Sequence, residues 1–465
     1  MDLVVIVALV SALFAVIGLS EPIADRLRLP ATVILAMMGI AIAVAATLLL
    51  HTTLTDAFNP LAQAILALPI RSNLFLYVFL PTLIFQVALS IDFRRMLDDW
   101  VPILVLSVVA VVVATLVVGY ALYPLTGLSL MACLLIGAIV STTDPSAVVG
   151  IFRATPAPQR LARIVEGESL LNDAAAIALF GLFFAYVAFG IPSPRPADLV
   201  FHFPWLVFGG AFIGWAAARL ALTGLARLGD HPLGQVSVSV ALPYLVYVLA
   251  EAVLSVSGVI AVVAAGLTLN YLAPGKLSPP SVKKLRDTWD LLGYWASGMI
   301  FVLAALLIPR LLSNARPFDL LLIAVTVVAA LAARALILFV VFPLLTRLRV
   351  SPKVEAPYRL AIMWGGLRGA VTLALALAVT ESFRVSPEIK REVGIIATGF
   401  TLFTLMVQGT TLRMMISRLG LDKLSALDAA LSAQVVAVAL QTVRETATSA
   451  ARDLGLSRET VRDEA

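Results

Sequence analysis

Long apolar stretches separated by short polar segments repeat along almost the whole chain. Stretches of about 20 apolar residues, the length that crosses a bilayer as a helix, predict thirteen spans. They lie near 2–20, 31–50, 70–90, 101–123, 128–150, 163–190, 203–225, 232–252, 256–273, 289–309, 318–345, 360–380 and 393–415. The first stretch lacks the basic start and the cleavage pattern of a signal peptide, so we expect it to be retained as a span. This pattern predicts an all-α polytopic membrane protein.

Lysine and arginine residues alternate between rich and poor loops. Twenty of them lie in loops that follow odd-numbered spans, and seven lie in loops that follow even-numbered spans. Because basic loops are retained in the cytoplasm, we predict a multi-pass protein of the cell membrane with its amino terminus outside and its carboxyl terminus inside. The polar, alanine-rich end of the chain carries leucine and valine at helical spacing. We therefore predict a transmembrane domain over 1–420 and a cytoplasmic helical tail over 421–465.

The composition excludes several classes of protein. Of the 465 residues, 61% are hydrophobic and 13% are charged, and the mean hydropathy is +1.02; soluble domains are about half apolar and a quarter charged. The net charge of +5 arises largely from loop residues that set the topology, so we expect no nucleic-acid partner. The single cysteine, Cys133, and three scattered histidines argue against a disulfide framework and against a metal site built from Cys or His.

A few charged and polar residues lie inside predicted spans. An ionised acid near the bilayer centre costs about 2.5 to 3.5 kcal/mol on insertion scales, so such residues usually mark an ion pathway or a buried pair. The set comprises Gln86, Thr142, Thr143, Asp144, Glu168, Ser169, Asn172, Asp173, Glu251, Arg334 and Arg368. In a helix, Ser169 and Asp173 share one face, and Glu168 and Asn172 share the adjoining face. We expect one face to hold a cation and the other to be anchored to a neighbouring helix.

Two predicted spans contain residues that interrupt a helix. The segment Ser141-Thr-Thr-Asp-Pro-Ser146 includes a proline, which frees the carbonyls before it. The segment Trp364-Gly-Gly-Leu-Arg-Gly-Ala-Val371 has three glycines within five residues. Broken helices at membrane depth line cavities or are buried in protein. Two of them at corresponding places in the two halves of a chain indicate a secondary transporter built from inverted repeats.

Five motifs, in order over roughly residues 1–420, together resemble the monovalent cation/proton antiporters of the sodium/proton exchanger type. They are Thr143-Asp-Pro145, Gly167-Glu-Ser-Leu-Leu-Asn-Asp173, Val256-Ser-Gly-Val-Ile-Ala-Val-Val-Ala-Ala-Gly266, Gly365-Gly-Leu-Arg-Gly-Ala-Val371 and Val407-Gln-Gly-Thr-Thr-Leu412. The apolar stretches predict about 13 transmembrane helices, and the resemblance implies that two of them are discontinuous and cross. It also implies a core domain that moves against a dimerisation domain in a homodimer. The expected cargo is Na⁺ or Li⁺ exchanged for H⁺, and we expect no cofactor.

The resemblance also assigns the ion site. Asp173 alternately binds a proton and the transported monovalent cation, and Ser169, the backbone around Thr143, and Asp144 complete the site. Gln86 stands where the family often has an acid that is a cation ligand, and it offers only a neutral carbonyl. That difference leaves the choice between sodium and potassium open.

A second set of residues is expected to support the site. By resemblance, Glu168 pairs with Arg334 and Asn172 is hydrogen bonded alongside, while Arg368 braces the crossed helices. Helical geometry favours the same partition, because Glu168 needs a buried cation and Arg334 is an available base. If Asn172 replaces a second acid, we predict electroneutral one-for-one exchange.

Other interpretations remain for these residues. Asp144 could simply receive freed backbone donors, and Ser169 could bond only within its own helix. Among functional classes, potassium/proton exchange is the main alternative, with a cation channel and an intramembrane aspartyl protease as remote ones. The protease would use Asp144 and Asp173 as a dyad, but neither acid lies in a Gly-x-Gly-Asp context.

Overall fold

The structure is a computed structural model that describes residues 3–27, 29–51, 59–66, 70–91, 96–144, 159–189, 196–227, 229, 231–422 and 426–453. All regular secondary structure within these ranges is helical, which confirms the predicted all-α class. We number the helices α1 Leu3–Leu27, α2 Ala31–His51, α3 Asn59–Leu66, α4 Ser72–Ser90, α5 Leu97–Thr126, α6 Leu130–Ser141, α7 Gln159–Phe189, α8 Pro196–Arg227, α9 Pro232–Val253, α10 Gly258–Leu272, α11 Pro279–Leu311, α12 Pro317–Arg347, α13 Ala356–Trp364, α14 Ala370–Glu381, α15 Pro387–Arg418 and α16 Ala426–Asp453.

Eleven helices in the described ranges are long and apolar enough to cross a membrane, and α6 and α14 are shorter apolar helices. The eleven correspond to predicted spans with small shifts of their ends. The largest shift is in α11, which begins at Pro279 whereas the prediction began near 289. Its first turns carry Lys283, Lys284 and Arg286, so the helix continues beyond its apolar part.

The two interrupted spans are built from short helices. Helix α6 begins after Ser129, whose side chain accepts a hydrogen bond from the Ala132 amide, and it ends at Ser141. Thr142 then turns into extended backbone, with ψ 146°. The part of the predicted span from 145 to 150 lies outside the described residues. In the second span, α13 ends at Trp364 and α14 begins at Ala370, so the glycine-rich segment forms the break.

Contacts between helices divide the membrane part into two groups. In what we call the core group, α5, α6, α7, α12, α14 and α15 pack on one another, and α13 packs on α12 and α15. In what we call the scaffold group, α2 and α4 pack on α11, α8 and α9 pack on α10, and α1 packs on α2. Each interrupted span belongs to the core group, where longer helices surround it.

The two groups meet along a few helices. Helix α7 contacts α4 and α10, and α14 contacts α4 and α11. On α7, Leu170 and Ala174 join an apolar cluster formed mainly by scaffold helices, whereas Ala175 and Ala176 join a cluster of core helices. Helix α7 therefore lies at the boundary, with one face toward each group.

Helix α16 forms within the predicted tail. Its Val435 and Val438 side chains are exposed, while Leu424, part of the same pattern, lies outside the described residues. The division into a membrane domain and a cytoplasmic tail stays a prediction.

Candidate ion-binding site

The two helix breaks touch each other. The Asp144 amide donates a hydrogen bond to the Leu367 carbonyl over 2.8 Å, which joins the extended ends of the two interrupted spans. The hydroxyl oxygens of Thr142 and Thr372 are 2.7 Å apart. A Cβ on Gly369 would collide with the Asp144 carboxylate, so this close crossing requires glycine. The first break also lies beside α7, where Thr143 contacts Glu168 and Ser169.

Arg368 lies within the crossing and is buried. Its Nε donates to the Val140 carbonyl over 2.8 Å, and its Nη1 donates to the Gly366 carbonyl over 2.5 Å. Val140 is in the last turn of α6, where carbonyls lack helical partners and the helix dipole is negative. The guanidinium therefore compensates the carbonyls that the breaks expose, and it connects both interrupted spans.

Glu168 and Arg334 form a buried salt bridge. Glu168 Oε1 and Arg334 Nη2 are 2.7 Å apart, and the two side chains are 2% and 11% exposed, respectively. Arg334 Nε also donates to the Ile362 carbonyl over 2.9 Å, so α12 holds α13 through the same side chain. The negative charge of Glu168 is thereby balanced within the core group.

Asn172 contacts Thr143, and its connection to Glu168 runs through that residue. The Asn172 amide donates a short hydrogen bond to Thr143 Oγ1, and the Thr143 hydroxyl donates to Glu168 Oε1 over 3.3 Å. Asn172 is thus hydrogen bonded alongside the Glu168–Arg334 pair through Thr143. The reason is that Thr143, at the extended end of α6, lies between the two side chains of α7.

Ser169 faces the same extended segment. Its Oγ donates to the Thr143 carbonyl over 2.6 Å, so its hydroxyl hydrogen bond is made to the neighbouring break. The Thr143 carbonyl also receives a longer bond, 3.4 Å, from the Asn172 amide. Ser169 and Thr143, two of the expected cation ligands, are therefore adjacent.

Asp173 lies one turn after Ser169 and is half-buried. Within the part of the chain that the structure describes, no lysine or arginine forms a salt bridge with it. Asp144, also half-buried, acts on it electrostatically from the first helix break. A carboxylate placed in this way can receive either a proton or a metal cation without first leaving a basic partner.

Comparison with known proteins identifies the family. Residues 9–418 match the family described as sodium/hydrogen exchanger, transmembrane. The chain belongs to the sodium/hydrogen exchanger family. It is a family of transporters and not a class of catalytic enzymes.

Two relatives of the sodium/hydrogen exchanger family illustrate the extent of the likeness. The Na(+)/H(+) antiporter ApNhaP of Aphanothece halophytica is 31% identical over 358 residues, which cover 76% of this chain and 66% of that protein. The Na(+)/H(+) antiporter NhaG of Bacillus atrophaeus is 30% identical over 351 residues, covering 74% and 64%. The chain thus spans slightly less than two thirds of the length of these relatives.

The solved structure of the sodium proton antiporter MjNhaP1 from Methanocaldococcus jannaschii has the same fold. It superposes with a TM-score of 0.69 at 19% identity, covering 90% of this chain and 99% of that one. The predicted polytopic fold with crossed discontinuous helices is confirmed.

Gln86 of this exchanger-family chain forms a hydrogen bond with a residue of α11. Its Nε2 donates to Asp290 Oδ1 over 3.0 Å. A Cβ on Gly293, one turn after Asp290, would lie 2.6 Å from Gln86 Cγ, so the glycine allows this close packing. Sequence reasoning missed Asp290, because the acid follows a basic stretch and resembles an ordinary charge at the end of a span. Its position three residues before a glycine on the same helix was the available signal.

Proposed function

We propose that the chain exchanges Na⁺, or Li⁺, for H⁺ across the membrane by alternating access, with both ions competing for Asp173. The observation that supports this most directly is the contrast between two acids on α7. Glu168 is neutralised by Arg334 at 2.7 Å, whereas Asp173 has no salt bridge within the described residues. An acid without a basic partner is the one whose charge a transported cation can balance.

The charges around the breaks support one-for-one exchange. The Asp173 carboxylate carries one negative charge that no salt bridge within the described residues balances. One sodium ion or one proton neutralises it, and Asn172 adds no second carboxylate. Each half of the cycle then carries one positive charge, and the exchange is electroneutral.

The proposed ligands follow from the adjacent groups. Asp173 supplies the carboxylate, and Ser169 Oγ and the Thr143 carbonyl are oxygen atoms joined by a 2.6 Å hydrogen bond. Oxygen ligands suit a hard alkali-metal ion, and Asp144 contributes directly or through water. Gln86 remains a proposed contributor through its carbonyl, although its amide is bonded to Asp290.

The potassium alternative is favoured by one observation, the neutral Gln86 at a place where the family often has an acid. We further propose a homodimer, with the amino terminus outside and the tail in the cytoplasm. In a cell membrane, such exchange would serve sodium transport and pH homeostasis.

The test uses the purified full chain in proteoliposomes with a trapped pH dye. Sodium, lithium and potassium are added in turn, and we expect proton movement with sodium and lithium. Asp173→Asn should abolish this proton movement, while the control Asp98→Asn, at an exposed acid, should leave its rate unchanged.

Three results would contradict the proposal. Substantial exchange by Asp173→Asn would exclude the single-carboxylate scheme. Acceleration of exchange by an imposed inside-negative potential would exclude one-for-one stoichiometry. Activity with potassium alone would establish the alternative.

A further inference from the structure

A hydrogen-bonded pair connects the core group to the scaffold group far along the chain from the α7 acids. Glu381 Oε2 accepts a hydrogen bond from the Ser72 amide over 3.0 Å and another from the Ser72 hydroxyl over 2.8 Å. Ser72 is the first residue of α4, and Glu381 is the last residue of α14. Both lie next to loops that follow even-numbered spans, so the pair is on the face opposite the basic loops; we call it the opposite face.

The placement of Glu381 is unfavourable for its own helix. A carboxylate at a helix C-terminus faces the negative end of the helix dipole, whereas one at an N-terminus faces free amides and the positive end. Glu381 ends α14 but accepts from the first amide of α4, so its favourable environment is supplied by the scaffold group. The interaction is therefore lost when α14 and α4 move apart.

An apolar seal continues from this pair into the membrane. Leu373, Ala374 and Leu377 of α14 belong to the same buried cluster as Phe75 of α4 and Ile300 of α11. The cavity between these helices has a volume of about 10 Å³, room for about one water molecule. The interface between the groups along α14 is therefore closed. Apolar side chains fill its membrane part, and the Ser72–Glu381 pair lies at its end on the opposite face.

The other half of the interrupted span is arranged differently. Helix α13 packs on α12 and α15 of its own group, whereas α14 packs on both groups. Relative movement of the groups would therefore be resisted by contacts of α14, at the opposite face.

We propose that Glu381 and Ser72 form a latch that holds the opposite face closed and opens once in each transport cycle. This inference rests on the proposed exchange by alternating access, in which the site must reach each face in turn. The latch acts through conformation and does not touch the transported ion.

The first experiment measures closure without measuring transport. Cys133 is replaced by Ala, the buried Ala374→Cys substitution serves as reporter, and the purified full chain is treated with a polar maleimide. We expect Glu381→Ala to raise the labelling rate about tenfold, because a hydrogen bond to a charged group contributes about that factor to a conformational equilibrium. Glu381→Gln, which keeps an acceptor, should give a smaller increase. Ser72→Ala, which leaves the backbone amide as a donor, should also raise the labelling rate less than Glu381→Ala does.

The matched control is Glu388→Ala, at an exposed acid on the same face. Its labelling rate should equal that of the parent. If Glu381→Ala also labels at the parent rate, the pair is an ordinary surface hydrogen bond and the latch is refuted.

The second experiment separates this inference from the proposed function. The Ser72→Cys/Glu381→Cys variant, joined by a short thiol crosslinker that reductant cleaves, should lose sodium-driven proton movement and recover it on reduction. If the two cysteines do not crosslink, or if the crosslinked protein still exchanges at the full rate, the latch is refuted. Activity of the parent protein would in that case still support the proposed exchange. A parent without exchange would instead overturn the proposed function, and the labelling experiment would still decide whether the pair controls closure.

Discussion

Replacing Glu168 by Gln separates the role of the salt bridge from that of Asp173, five residues later on the same helix. The pair has a 2.7 Å contact and both side chains are largely buried. Removing one partner of a buried pair costs about 3 to 5 kcal/mol, because the other charge remains in a medium of low dielectric constant without compensation. Arg334 would keep its hydrogen bond to the Ile362 carbonyl, which carries no full charge. We therefore expect Glu168→Gln to lower the free energy of unfolding by about 3 to 5 kcal/mol.

The double variant Glu168→Gln/Arg334→Gln tests the origin of that loss. With both charges removed, no uncompensated ion remains, so its destabilisation should be clearly smaller than the sum of the two single variants. The assay is denaturant-induced unfolding of the purified protein in detergent micelles, followed by tryptophan fluorescence. Proteoliposome exchange by the same preparations gives the second readout.

Asp173→Asn is the matched comparison in both assays. It removes a carboxylate that has no salt bridge within the described residues, so we expect unfolding at the parent denaturant concentration or above it, with exchange lost. The assignment of Glu168 to stability and of Asp173 to transport would be refuted if the Glu168→Gln protein were stable but inactive and the Asp173→Asn protein were destabilised.

Three further predictions follow from the site and the crossing. Because protons and sodium compete for one carboxylate, the apparent KM for sodium should rise as pH falls, by up to tenfold per pH unit, with the maximal rate at saturating sodium unchanged; a fall in maximal rate alone would contradict competition. Gly369→Ala should destabilise the protein by about 1 to 3 kcal/mol, since its methyl group meets the Asp144 carboxylate. Gly224→Ala, in a helix with no atom within 4 Å of the new methyl group, should be neutral or stabilising in the same unfolding assay. Gln86→Glu would place a carboxylate against Asp290, now 3.0 Å from the Gln86 amide, and the like charges should change the sodium KM several-fold. Adding Asp290→Asn should return the sodium KM to the parent value. If the KM of the double variant is no closer to the parent value than that of Gln86→Glu, the two residues do not act through charge.

The sequence alone determined the helices and singled out the residues proposed for the ion site. Apolar stretches of bilayer length predicted the spans, since a membrane helix satisfies its backbone internally and needs only apolar side chains outside. Polar residues within those stretches, such as Glu168 and Asp173, were conspicuous because each is costly in lipid. The glycine-rich segment near Arg368 showed where a helix would be interrupted.

Only the tertiary structure decided which of these residues meet. Thr143 lies between Asn172 and Glu168 because the extended end of α6 enters beside α7. Likewise, Gln86 bonds to Asp290 because Gly293 lets α4 and α11 approach closely. Neither contact follows from periodicity, which places side chains on the face of one helix and contains no information about the facing helix. The Ser72–Glu381 pair, 309 residues apart in sequence, depends in the same way on packing between two groups of helices.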